Sequence, residues 1–291
     1  MPPLPAAAIP SFLSRLSSSL PSSLPSPTRY LVPLLTSTAL GHASLFLKPS
    51  LDLALSPFPP APSPVPPEPA DPREDWEIHP RRATVLLAKE ALVKSAILVG
   101  VPRAIEALLE LRDEVDDADW SGRFVRKELD AQGQTIGARK DAGREGLGRV
   151  YQRDSDAIFE RMRVSGLDDL RFLSQSTTYG TFLTPFPSPS SPSPNPDPFL
   201  SHPSSSPARL FPLLTLPPLL ALRTPREIHW HLRGALRCGW TKGEVEALQG
   251  AVESVAEACG VEQVGEGMPR VRDVDRQKEE DEREGVEALF W

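Results

Sequence analysis

One short segment gathers most of the side chains in this chain that could move a proton or hold an anion. Residues 225 to 238 contain His229, His231, Arg226, Arg233, Arg237 and Cys238. Read as a helix, Ile228, His231, Leu232, Ala235 and Leu236 form one apolar stripe, which puts His231 on the inward side. An imidazole held there is a candidate acid/base, because its ordinary pKa near 6.5 lies close to working pH. The competing reading is a core histidine satisfied by its neighbours. His229 lies about 200° around the helix from His231, so the two cannot chelate from one face, and His229 is expected toward solvent. Arg233 and Arg237, four residues apart, form a basic strip suited to a carboxylate. The alternative for them is pairing with Glu227, Glu244 or water.

The other polar residues carry less. Cys238 falls in a last helical turn, where the carbonyl end disfavours a thiolate. Cys259 lies on the stripe of Val245, Leu248, Val252 and Val255 and reads as a small core residue. No CxxC or CxxH spacing exists, so neither a metal site nor a vicinal dithiol is encoded. Glu90 and Lys94 read as an i,i+4 ion pair. Tyr151 and Tyr179 read as packed aromatics. No phosphate loop, dinucleotide glycine pattern, serine elbow or carboxylate pair is present, and no cofactor is expected.

The elements that must position His231 are a helical hairpin. Thr224, Pro225 and Glu227 have the form of a capping box, and Thr241 with Glu244 repeats it. Gly239 supplies a left-handed exit between the two helices. Upstream, the apolar period over Arg81 to Val115 predicts two helices broken at Gly100-Val101-Pro102. Helices are also expected over Val150 to Arg163 and Leu167 to Phe182, and one or two within Thr28 to Leu55. Trp120 and Phe124 are expected to fold back on the core. In Leu210 to Leu222, Pro212, Pro217 and Pro218 argue against a continuous helix. A shift of 160 residues lays Ala91, Ala96, Gly100 and Val101 on Ala251, Ala256, Gly260 and Val261, a faint internal repeat.

These elements imply an all-α domain over 28–264. Residues 1–27 read as a Ser/Pro-rich leader, and 265–291 as a charged tail. Two Pro/Ser-rich stretches, 56–72 and 185–207, read as disordered linkers; the first has nine prolines in seventeen residues. The net charge of −7 argues against nucleic acid as a partner. No apolar run is long enough to span a bilayer. Two cysteines fit a reducing, intracellular setting. The absence of Asp and Glu before Asp52 permits a mitochondrial presequence, leaving cytoplasm and mitochondrion both open.

The run His231-Leu232-Arg233-Gly234-Ala235-Leu236-Arg237-Cys238-Gly239, with Thr241 and Glu244, resembles the signature of the carboxymuconolactone decarboxylase-like family, allied to the alkylhydroperoxidase D-like proteins. Val99-Gly100-Val101-Pro102-Arg103-Ala104 is similar to its Gly-x-Pro element, and Tyr179-Gly180 to an element of long fungal members. The resemblance implies an all-α alkylhydroperoxidase D-like fold that assembles as a homo-oligomer. It implies either cofactor-independent decarboxylation of a small carboxylated lactone, with His231 moving the proton and Arg233 and Arg237 binding the carboxylate, or a non-catalytic oligomeric or adaptor descendant. The family's peroxidase activity requires the CxxC pair that this chain lacks.

Overall fold

The computed structural model describes residues 2–69, 74–126, 154–183 and 207–274, with 141, 143, 144, 147, 148 and 151. Among the described residues every regular element is a helix. The main helices are α1 (Ile9–Ser19), α2 (Ser26–Arg29), α3 (Leu31–Leu40), α4 (Ala43–Leu55), α5 (Asp75–Ile78), α6 (Pro80–Val99) and α7 (Val101–Glu114). They are followed by α8 (Asp154–Val164), α9 (Asp168–Phe172), a π-helical segment (Leu173–Leu183), α10 (Pro207–Ala221), α11 (Pro225–Arg237) and α12 (Lys242–Ala258).

α10 lies at the centre, packed against α3, α6, α11 and α12. The proline-based expectation of a broken segment fails here: Pro212, Pro217 and Pro218 all sit inside one continuous helix. The reason is burial. Leu210, Phe211, Leu213, Leu214, Leu216, Leu219 and Leu220 are all buried. Each such side chain contributes roughly 1.5–3 kcal/mol, against about 3 kcal/mol for each interior proline.

The break between α6 and α7 falls where the sequence puts it, at Gly100, with φ +88°. Its counterpart in the faint repeat, Gly260, also has positive φ, +81°. α12 opens on the full capping box: Thr241 Oγ1 accepts from Glu244 N at 3.2 Å, and Thr241 N donates to Glu244 Oε2 at 2.8 Å. The first box does not form. Thr224 makes no side-chain cap; its hydroxyl donates instead to the carbonyl of Leu219, in the last turn of α10, at 3.3 Å.

Three boundaries move. Ile9, Leu13, Leu16, Leu20 and Leu24 are core residues, so the stretch 1–27, read as a leader, packs with the folded body. Val271 and Val274 are likewise core, fixed by Gln249, whose side chain bonds Val271 N and the Pro269 carbonyl. Residues 275–291 of the stretch read as a charged tail lie outside the described residues. The first proline-rich stretch is held rather than free: Arg82 donates to the Pro66 and Pro67 carbonyls at 2.8 and 3.3 Å, and Arg123 to the Pro69 carbonyl. The second linker, 185–207, lies outside the described residues apart from Pro207, which opens α10. Trp120 packs on the core between Lys89 and Arg112, but Phe124 is 59% exposed.

Candidate functional site

α11 delivers His231 inward as the apolar stripe requires, with Ile228, Leu232 and Ala235 buried on the same side. The ring is only 4% exposed. Phe211 of α10 stacks on it, with centroids 6.1 Å apart and planes 24° from parallel. What meets its edge is polar. Tyr151 Oη lies 3.1 Å from Nε2 and Tyr179 Oη 3.4 Å, and the two hydroxyls are 2.8 Å from each other. Trp230 closes the far side of Tyr151, edge to face at 5.5 Å.

A single line of donation satisfies all three atoms: the Tyr179 hydroxyl donates to Tyr151 Oη, and the Tyr151 hydroxyl donates to Nε2. Burial keeps every member uncharged. It pulls the His231 pKa down to about 3 and pushes Tyr151 up to about 12. Tyr179 is raised well above its ordinary value by burial and by its bond to Tyr151, with the Glu227 carboxylate adding to it. The site is thus a neutral proton-carrying chain in a low-dielectric setting at pH 7.

Two local features bring the tyrosines together. Tyr179 rides on the π-helical segment, where Thr181 Oγ1 donates to the carbonyl of Ser176, five residues back. The segment's end is pinned to α6: Lys94 Nζ, fully buried, donates to the Phe182 carbonyl at 2.6 Å. Lys94 pairs with Glu90 at 3.7 Å as its spacing predicts, and Arg126 joins the same carboxylate. On the other side, Gly143 lies directly against the π-helical backbone. A Cβ there would collide with the Gln175 carbonyl and sit 3.0 Å from Gly180 N. The absent side chain lets the chain leading to Tyr151 approach the segment that carries Tyr179.

The other sequence-derived candidates fall elsewhere. Arg233 is buried and Arg237 half-buried. They share a face, but two and six residues beyond His231 place them about 200° and 240° around α11. A carboxylate held there would lie on a different side of the helix from the imidazole, so the acid/base and the anchor do not combine into one site. His229 is half-buried rather than solvent-facing, and Arg226 is exposed. Glu244, offered as a partner for these arginines, is taken by Arg209 at 2.6 Å and Ser23 at 2.5 Å. Cys238 and Cys259 are both buried and not joined in a disulfide, and burial pushes Cys259 up to about 12. Among the described residues no three His, Cys, Asp or Glu side chains gather as metal ligands. No described helix is long and apolar enough to cross a membrane.

Tyr151 and Tyr179 were missed as site residues. The available signal was that a tyrosine on an apolar helix face carries a hydroxyl needing a partner. Their partner is 80 and 52 residues away, beyond anything periodicity reports.

Fold and site together define an all-α protein built around a buried Tyr–Tyr–His network. The chain is similar to Peroxisomal protein 2 of Schizosaccharomyces pombe, with 28% identity over 185 residues, 61% of this chain and 72% of that one. No family model matches the chain. No solved structure matches it.

Proposed function

We propose that the chain is a cofactor-independent lyase of the carboxymuconolactone decarboxylase type, acting on a small lactone acid. The supporting observation is the contact of His231 Nε2 with two tyrosine hydroxyls at 3.1 and 3.4 Å. Loss of CO2 from such an acid leaves an electron pair that the lactone carbonyl takes up as an enolate. The enolate carbon then needs one proton. The neutral imidazole gives its Nδ1 proton to that carbon as Nε2 takes the Tyr151 proton and Tyr151 takes that of Tyr179, and one proton from solvent then restores Tyr179. A neutral, water-poor site suits this step, because it favours a dispersed enolate over a solvated carboxylate. No external electron sink is required, since the substrate's own carbonyl serves. The protein is proposed to work as a homo-oligomer.

The test is CO2 release by the full chain from a panel of γ-carboxy butenolides, whose carboxyl sits on the ring carbon conjugated through the C=C to the lactone carbonyl. His231→Gln is expected to lower kcat at least 100-fold, and Tyr151→Phe 10-fold or more, in the range of single acid/base groups. Equal kcat in wild type and His231→Gln would refute the assignment.

The 4% exposure of His231 favours a second reading, a non-catalytic descendant in which the triad only ties the core together. It predicts no turnover of any lactone acid by wild type, with His231→Gln measurable only as lost stability. We place the protein inside the cell, in cytoplasm or mitochondrion on its sequence. Similarity to a protein named for the peroxisome adds that organelle. Fluorescence of the tagged full chain separates the three.

A further inference from the structure

Three rings meet Tyr151 edge-on: Tyr179, Trp230 and His231, with centroids 6.0, 5.5 and 5.6 Å away. Tyr151 is 8% exposed and Tyr179 5%, so neither phenol offers much surface to a reagent in water. Trp230 is half-buried, and the cluster reaches solvent through its indole. The decarboxylation proposed above uses the two hydroxyls and the imidazole but gives Trp230 no part. An indole in that place can carry an electron, because it is oxidised without first losing a proton.

We propose that Tyr151 is a redox-active tyrosine, giving one electron through Trp230 to a small oxidising radical at the surface, such as nitrogen dioxide or carbonate radical, while its proton passes to His231. The oxidant takes an electron from the indole and leaves as nitrite or carbonate. Tyr151 then refills the indole. Its O–H bond breaks as an N–H bond forms at His231 Nε2, 3.1 Å away. The products are a neutral tyrosyl radical and an imidazolium. A phenol cation radical is a far stronger acid than an imidazolium, so this proton transfer traps the hole on Tyr151. A buried tyrosine without such an acceptor would have to hold the whole positive charge on its own ring, at high cost. The carboxylate of Glu227, one turn before His231 on α11, puts a negative field across both tyrosines, which favours removal of an electron from them. Burial keeps the radical from coupling with a second one. A one-electron reductant of the ascorbate class returns the electron through the indole, and the Nε2 proton goes back to the tyrosine oxygen. The inference rests on the ring geometry and stands apart from the lyase reading.

Flash oxidation of the full chain by photogenerated tris(bipyridyl)ruthenium(III), read by electron paramagnetic resonance and transient absorption, decides it. The chain has three tyrosines, so the radical can be assigned by substitution. Wild type and Tyr30→Phe are expected to give the same tyrosyl signal, and Tyr151→Phe to lose it. Trp230→Phe should slow its appearance several-fold, since the electron then has no port. His231→Gln should abolish it, because an amide hydrogen-bonds the phenol but takes no proton. No tyrosyl in wild type, a signal that persists in Tyr151→Phe, or an unchanged yield in His231→Gln overturns the proposal. So does an unchanged rate in Trp230→Phe. Should His231→Gln fail to fold, wild type in D2O decides: coupled proton transfer predicts slower radical formation than in H2O, and equal rates overturn it.

Discussion

Replacing His231 by glutamine tests the electrostatics of the site through stability, before any substrate is known. The free imidazole titrates near 6.5, whereas burial holds the folded ring neutral down to about 3. Between those values the unfolded chain binds a proton that the folded chain refuses. Stability contributed by neutral His231 is therefore fully present above pH 6.5 and lost progressively as pH falls toward 3. One proton corresponds to about 1.4 kcal/mol per pH unit. Other groups titrate in the same range, so the informative quantity is the difference between wild type and His231→Gln. Urea unfolding at pH 7, 6, 5 and 4.5 should show wild type losing about 1 kcal/mol more per unit than the variant below pH 6. At pH 7 the variant should be less stable by about 1–3 kcal/mol, because the buried Tyr151 hydroxyl loses its acceptor. Parallel pH slopes in the two proteins would show that His231 is not held neutral, and the site as drawn would be wrong.

Three further outcomes follow from the geometry. Gly143→Ala should cost about 1–3 kcal/mol, since the new methyl group displaces backbone rather than a flexible side chain; a urea midpoint within error of wild type would refute the close approach. Gly239→Val should cost about 1 kcal/mol or more through its φ of +81° alone, because no atom lies within 4 Å of the added Cβ; an unshifted thermal melt would count against the turn. Both thiols should resist an aromatic disulfide reagent at pH 8 and react fully in urea; prompt labelling of either in the native protein would contradict its burial.

Much of the architecture was legible in the chain because local rules agree there. The apolar period predicted α6, α7, α11 and α12, and Gly100 and Gly239 marked their ends by needing positive φ. The inward turn of His231 followed from the stripe on α11. Failures came where burial overrode a local preference. Three prolines are tolerated in α10 because that helix is the centre of the core. The first 27 residues look like a leader in composition, yet Ile9, Leu13 and Leu16 supply core surface to α4 and its neighbours. Thr224 has the sequence of a cap but finds a nearer acceptor in α10. The site was half legible: helix periodicity gave the histidine, while its tyrosine partners depend on a π-helical register and a glycine contact that no periodicity encodes.

The most direct test of the central claim is incubation of the full chain with a lactone acid in D2O, followed by NMR of the product. A proton passed along the tyrosine–histidine chain to one face of the enolate predicts CO2 release above the background rate and a single deuterium at one ring carbon of the enolate, in one configuration. Both should disappear in His231→Gln. Background-level CO2 release by wild type, or a product labelled equally on both faces, would contradict the account.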